Sequence, residues 1–284
     1  MQVTWQKFHE DGQTVEVQFY APDGPSSKLI LMCSGFPGMG GTRFEQRHAA
    51  ALCEFKKHTV GIIKHAGTRL DVPDAPYMVN NAARLMEGRQ KGETHLGGGP
   101  STVAHWLREP WIVLNQLRDA FAHFDIIGNS FGAISAFWSL IQPGAPLAKV
   151  KNLLCLAGGQ GVDSDPVNGI MRIWNPLFLS NPAIWDKVTL DTPLSICATL
   201  KAAYADIADK AADLPAHIAI KYMVVTADEL LKVSDTEHFR DRVMKGRGEL
   251  ILNTTDRAYP AHGLLAHDTP DLPPEKLMEL LHDH

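Results

Sequence analysis

Apolar residues gather in short, nearly continuous runs along this chain: Lys28–Cys33 (KLILMC), Val60–Ile63, Phe124–Gly128, Val150–Leu156, Tyr222–Val225 and Leu250–Leu252. Runs of this length without polar alternation are the pattern of strands covered on both faces. Between most of them the apolar positions take helical spacing, over Arg43–Phe55, Pro110–His123, Phe131–Ile141, Asp235–Lys245 and Pro274–Leu281. The last of these opens on Pro273-Pro274, and proline is well tolerated where a helix starts. Strand and helix in alternation predict an α/β fold with a mainly parallel sheet. Ahead of it, residues 2–8 and 14–20 are β-prone on either side of Glu10-Asp11-Gly12, which predicts an antiparallel hairpin.

Two stretches break the alternation. Asp71–Leu107 carries Gly97-Gly98-Gly99-Pro100 and reads as a long loop over one end of the sheet; the glycines lack the Gly-Lys-Ser/Thr ending of a phosphate loop. Residues 161–217 hold Trp174, Leu177, Phe178, Trp185 and Leu190 among several prolines, and read as a helical lid inserted in a core made of 1–160 and 218–284.

Composition narrows the class. With 45% hydrophobic and 21% charged residues in 284, the chain has the material for one large core. A net charge of −5 without long like-charged runs gives no support for nucleic acid or membrane as partner, so the expected partner is a small-molecule substrate, with a homodimer allowed. The N-terminal MQVTWQKFHEDGQ has no secretory pattern and no apolar stretch approaches a membrane span, so the expectation is a soluble cytoplasmic protein. Cys33, Cys53, Cys155 and Cys197 are far apart and read as reduced, buried thiols. No Cys/His spacing fits a metal site, and no metal or cofactor is expected.

The sharpest chemical signal is Gly128-Asn129-Ser130-Phe131-Gly132, a G-x-S-x-G motif between a strand pattern and a helix pattern. A serine on such a turn stands in strained backbone, and the flanking glycines let strand and helix approach. The Phe131 N–H, at the start of the helix, can bond a developing oxyanion. An ordinary helix cap at Ser130 is the competing reading. The loop Ser34-Gly35-Phe36-Pro37-Gly38-Met39-Gly40-Gly41 can supply a second amide; Pro37 has none, which makes Phe36 the first choice.

Strand-SGFPG, strand-GNSFG-helix, then a late acid and a later histidine: in this order the chain resembles the α/β-hydrolase family over nearly its whole length. It departs where the family commonly has H-G-F-P-G, since Ser34 stands in place of the histidine. The resemblance implies a three-layer α/β-hydrolase fold and a Ser-His-Asp triad with Ser130 as nucleophile. It also implies an acid after the strand Tyr222–Val225, where Asp228 is the candidate and Glu229 and Asp235 the alternatives. The base should lie after the final strand, where His262 is preferred and His267 remains open. His65 has no comparable case. The implied activity is that of a serine esterase acting on a carboxylic ester or related acyl compound. Thioester cleavage or carbon–carbon bond hydrolysis of the ring-fission type, which the GNSFG elbow also resembles, are alternatives, and a non-catalytic small-ligand binding protein on the same fold is a further one.

Overall fold

The computed structural model describes residues 1–35, 42–65, 90–92, 102–157, 191–228, 231–254 and 272–281. Its strands are β1 (Gln2–Glu10), β2 (Gln13–Ala21), β3 (Lys28–Cys33), β4 (Thr59–Lys64), β5 (His123–Asn129), β6 (Val150–Leu156), β7 (Ala219–Val225) and β8 (Glu249–Asn253). The helices are α1 (Thr42–Lys56), α2 (Val103–Gln116), α3 (Phe131–Leu140), α4 (Pro193–Lys210), α5 (Val233–His238) and α6 (Pro274–Leu280).

The strands form one eight-stranded sheet in the order β1-β2-β4-β3-β5-β6-β7-β8. Only β1–β2 and β2–β4 are antiparallel. The β1–β2 turn places Asp11 at φ 48 and Gly12 at φ 78, the left-handed pair that matches a tight hairpin to strand twist.

The continuous apolar runs are explained by two cores, one on each face. Along β3, Leu29, Leu31 and Cys33 join one core while Ile30 and Met32 join the other, as period-2 alternation requires. The first core takes Trp106 and Val113 of α2, Phe131 and Phe137 of α3, and Ile196 and Leu200 of α4. The second takes Leu52 and Cys53 of α1 and Leu277 and Leu280 of α6. The result is helix, sheet, helix.

Some boundaries differ from expectation. The helix expected to start at Pro110 starts at Val103, because Thr102 is extended (φ −110, ψ 158) and its hydroxyl accepts from the His105 amide; Pro110 lies inside the helix. The long loop expected over 71–107 is therefore helical from Val103. The helix expected over Asp235–Lys245 is α5 followed by one wide turn, Phe239–Val243. Of the segment expected as a lid, the described part begins at Asp191, and α4 packs against α2 and α3. The Asp191 carboxylate accepts from the Val103 amide at 2.6 Å, which fastens the start of α4 to the start of α2.

All four cysteines are free thiols; Cys33, Cys53 and Cys155 are buried and Cys197 is half-buried. Among the described residues no helix is long and apolar enough to cross a membrane. No group of three His, Cys, Asp or Glu among them could hold a metal ion.

Candidate active site

The connections leaving β3 and β5, neighbours in the sheet, run to opposite faces: α1 lies on the second core and α3 on the first. Such a switch opens a crevice beyond the carboxyl ends of the two strands, where ligands bind in open α/β sheets. Ser34 and Gly35 leave β3 at that crevice, and Ser130 leaves β5.

Ser130 has φ 51 and ψ −117, a conformation that costs a side-chain-bearing residue on the order of 1–3 kcal/mol. Its surroundings hold it there. The Ser130 amide donates to the Leu156 carbonyl at 2.8 Å, and the Ala133 amide to the Ser130 carbonyl at 3.0 Å. A Cβ on Gly128 would stand 2.4 Å from Ala133 Cα, and one on Gly132 only 1.9 Å from the Cys33 carbonyl oxygen. Glycine at these two positions is thus a steric requirement: α3 lies directly on β5 and on the end of β3. The Ser130 hydroxyl makes no capping bond to α3, contrary to the ordinary-cap reading, and the residue is partly exposed. Phe131 is the first residue of α3 and is fully buried, with its amide at the N-terminal end of the helix where a helix favours negative charge.

Gly35 comes close from the other side, since a Cβ there would be 3.3 Å from Ser130 Cβ. The next residue, Phe36, lies outside the described residues. Ser34 is fully buried, and its hydroxyl donates to the Ile63 carbonyl of β4 at 3.0 Å.

On the far side, the Ala157 amide donates to the Met223 carbonyl, which aligns the ends of β6 and β7. Asp228 follows β7, two strands from β5 or about 10 Å across the sheet. Its carboxylate accepts from the Leu231 amide at 2.8 Å. The Asp235 carboxylate accepts from the Lys232 amide at 2.9 Å and caps α5. Glu229, His262 and His267 lie outside the described residues.

Both ends of the stretch carrying the two histidines are placed. The Thr226 amide donates to the Asn253 carbonyl at the end of β8. At the other end the Leu272 carbonyl accepts from His48 Nε2 at 2.8 Å and from Arg47 at 3.0 Å, both on α1. Burial, only partly offset by that bond, lowers the His48 pKa.

Sequence reasoning missed a buried polar pair beside the crevice. His65, just past β4, bonds Glu109 of α2 through Nδ1 at 2.5 Å and the Ser34 carbonyl through Nε2 at 2.9 Å. Both side chains are 1% exposed. The ring stacks on Trp106 (centroids 4.8 Å apart, 12° between planes) and meets Phe131 edge-on at 5.7 Å. Burial alone would lower the His65 pKa; the Glu109 carboxylate and the two bonds outweigh it, and the net shift is upward. One signal was available: Glu109 is a carboxylate on the apolar stripe of its helix, three residues from Trp106.

No protein-family model matches the sequence, and no curated protein matches it. Solved structures do. The chain is similar to Est1E from Butyrivibrio proteoclasticus (TM-score 0.58, 15% identity, 97% of this chain and 98% of the other). It is also similar to a highly thermostable carboxyl esterase from Bacillus coagulans (0.57, 13% identity, 98% and 97%). A third similar structure is a serine hydrolase from the polyaromatic-hydrocarbon-degrading bacterium Cycloclasticus zankles (0.53, 15% identity, 89% and 90%). By strand order, layering and these likenesses, the chain has the α/β-hydrolase fold.

Proposed function

We propose that the protein is a serine hydrolase that cleaves a carboxylic ester or related acyl compound through an acyl-enzyme. The observation that carries this reading is Ser130 itself: a strained, partly exposed serine at φ 51, held at a switch-point crevice by two glycines that admit no Cβ. Strain of this kind persists where the surroundings over-determine it, as nucleophile turns require. The names of the similar structures, a carboxyl esterase and a serine hydrolase among them, favour the same chemistry.

In this reading the Ser130 oxygen attacks the acyl carbon while His262 takes its proton. The amides of Phe131 and Phe36 bond the oxyanion. His262 then returns the proton to the leaving alcohol, the C–O bond breaks, and the acyl group stays on Ser130. Water attacks next, with His262 again the base, and frees the acid and Ser130. Asp228, just beyond β7, orients His262 in this scheme.

Turnover of short p-nitrophenyl esters by the parent, Ser130→Ala, His262→Ala and His267→Ala tests the assignment. Loss of about 10³-fold or more in Ser130→Ala and His262→Ala, with His267→Ala retaining activity, is the expected result. Activity surviving in Ser130→Ala refutes it.

A further inference from the structure

The His65–Glu109 pair has no part in the acyl-transfer scheme above, yet its position is specific. Every polar edge of the imidazole is committed. Nε2 faces a carbonyl, which only accepts, so Nε2 carries a proton. Nδ1 shares a second proton with the Glu109 carboxylate across 2.5 Å. Trp106 covers one face of the ring, and the Phe131 side chain closes off an edge.

The acceptor of Nε2 matters most. The Ser34 carbonyl belongs to the peptide that leads into Gly35 and Phe36, and its oxygen would lie 2.7 Å from a Cβ on Gly132. The same ring thus touches the end of β3 through Ser34 and the start of α3 through Phe131, the two segments whose amides are assigned to the oxyanion. Burying an ionisable pair carries a large desolvation cost and adds little net stability. Packing alone gives no reason to place one here.

We propose that His65 and Glu109 are positioning residues that fix the Ser34–Gly35 segment against Ser130 and the start of α3, where the oxyanion would be bound. The proposal rests on the acyl-transfer reading. Glu109 sets the ring, the ring holds the Ser34 carbonyl, and the approach of the Ser34–Gly35 segment to Ser130 follows. A displacement of about 1 Å beside the reacting serine costs rate rather than affinity, by about a hundredfold.

The test is the double variant His65→Phe/Glu109→Leu, which keeps a flat ring on Trp106 and removes both ionisable partners together, so that of this network only the Ser34 carbonyl loses its donor. With p-nitrophenyl acetate and butyrate as probes, kcat should fall about 30- to 100-fold with KM within threefold, and the thermal midpoint should fall by no more than several degrees, through the Ser34 carbonyl's lost donor. Glu109→Gln, whose amide can donate to Nδ1 and preserve Nε2–H, should keep kcat within about fivefold. Glu109→Asp, with the charge kept and the arm shortened, should lower kcat about tenfold at constant KM, and it decides the matter should the double variant not fold. A folded double variant, or failing that a folded Glu109→Asp, with kcat within threefold of the parent overturns the proposal and leaves the acyl-transfer reading standing. A parent that neither turns over esters nor takes a fluorophosphonate on Ser130 overturns both.

Discussion

Replacing Gly132 with alanine sets two effects of known size against each other. Alanine in a helix is favoured over glycine by about 1 kcal/mol, so on propensity alone the change would stabilise α3. The new methyl would meet the Cys33 carbonyl oxygen at 1.9 Å, the Cys33 carbonyl carbon at 2.5 Å and the Ser34 oxygen at 2.7 Å, all of them backbone atoms. No side chain can rotate aside, so α3 and the end of β3 must separate by about 1 Å or more to restore van der Waals contact. Overpacking of this kind costs about 1–3 kcal/mol and here falls at the upper end, which leaves a net loss of about 1–2 kcal/mol. For a domain of this size that corresponds to a fall of about 2–8 °C in melting temperature. The same separation parts Ser130 from the Ser34–Gly35 segment, and about 1 Å there costs about a hundredfold in kcat. Differential scanning fluorimetry and ester kinetics measure both, with Gly24→Ala as control, since a Cβ at Gly24 meets nothing within 4 Å. A Gly132→Ala variant as stable and as active as the control would refute the packing argument.

The two candidate aspartates separate cleanly: Asp228→Asn should lower kcat about 10³- to 10⁴-fold in a folded protein, while Asp235→Ala should cost about 0.5–2 kcal/mol of stability through its lost cap and leave kcat per folded molecule within a few-fold. Because burial depresses the His48 pKa in the fold, with Arg47 also lowering it and Glu275 and the Leu272 carbonyl raising it, the unfolded chain binds a proton at this position first as pH falls. Stability from this group is therefore full above about pH 6.5 and declines as pH drops through the lowered folded value; His48→Gln, which can still donate to Leu272, should flatten the melting-temperature decline between about pH 6.5 and 5. An unchanged slope would count against it. At the opposite end of β5, Asp125 accepts from Asn152 at 2.7 Å and pairs with Lys28 at 3.0 Å, all buried. Asp125→Ala removes the buried carboxylate that pairs with Lys28 and should cost up to about 3–5 kcal/mol by urea unfolding, with KM unaltered because Ser130 is five residues, or about 16 Å, away.

The sheet was legible because its central strands are buried on both faces, and KLILMC has all six residues buried, its five apolar ones divided between the two cores. The hairpin was legible because Asp11-Gly12 accepts the left-handed turn, and the Ser130 turn because Gly128 and Gly132 are required by contact. Pro110 misled, since a proline that often starts a helix sits here inside one whose true start is the cap at Thr102. Helix α4 was absorbed into the expected lid although Thr192-Pro193 opens it, and Ile196, Leu200, Ala203 and Ile207 line its buried face at helical spacing. The His65–Glu109 bond spans 44 residues of sequence, and no local pattern marks a pairing made only when β4 and α2 pack together.

Whether Ser130 is the nucleophile is read from intact-protein mass after fluorophosphonate treatment. One adduct is expected on the folded parent, none on Ser130→Ala, and none on one of His262→Ala and His267→Ala, with His262 the base. A folded parent that takes no adduct, or an adduct that persists in Ser130→Ala, would contradict that assignment, and the first of these would favour a small-ligand binding protein built on the same fold.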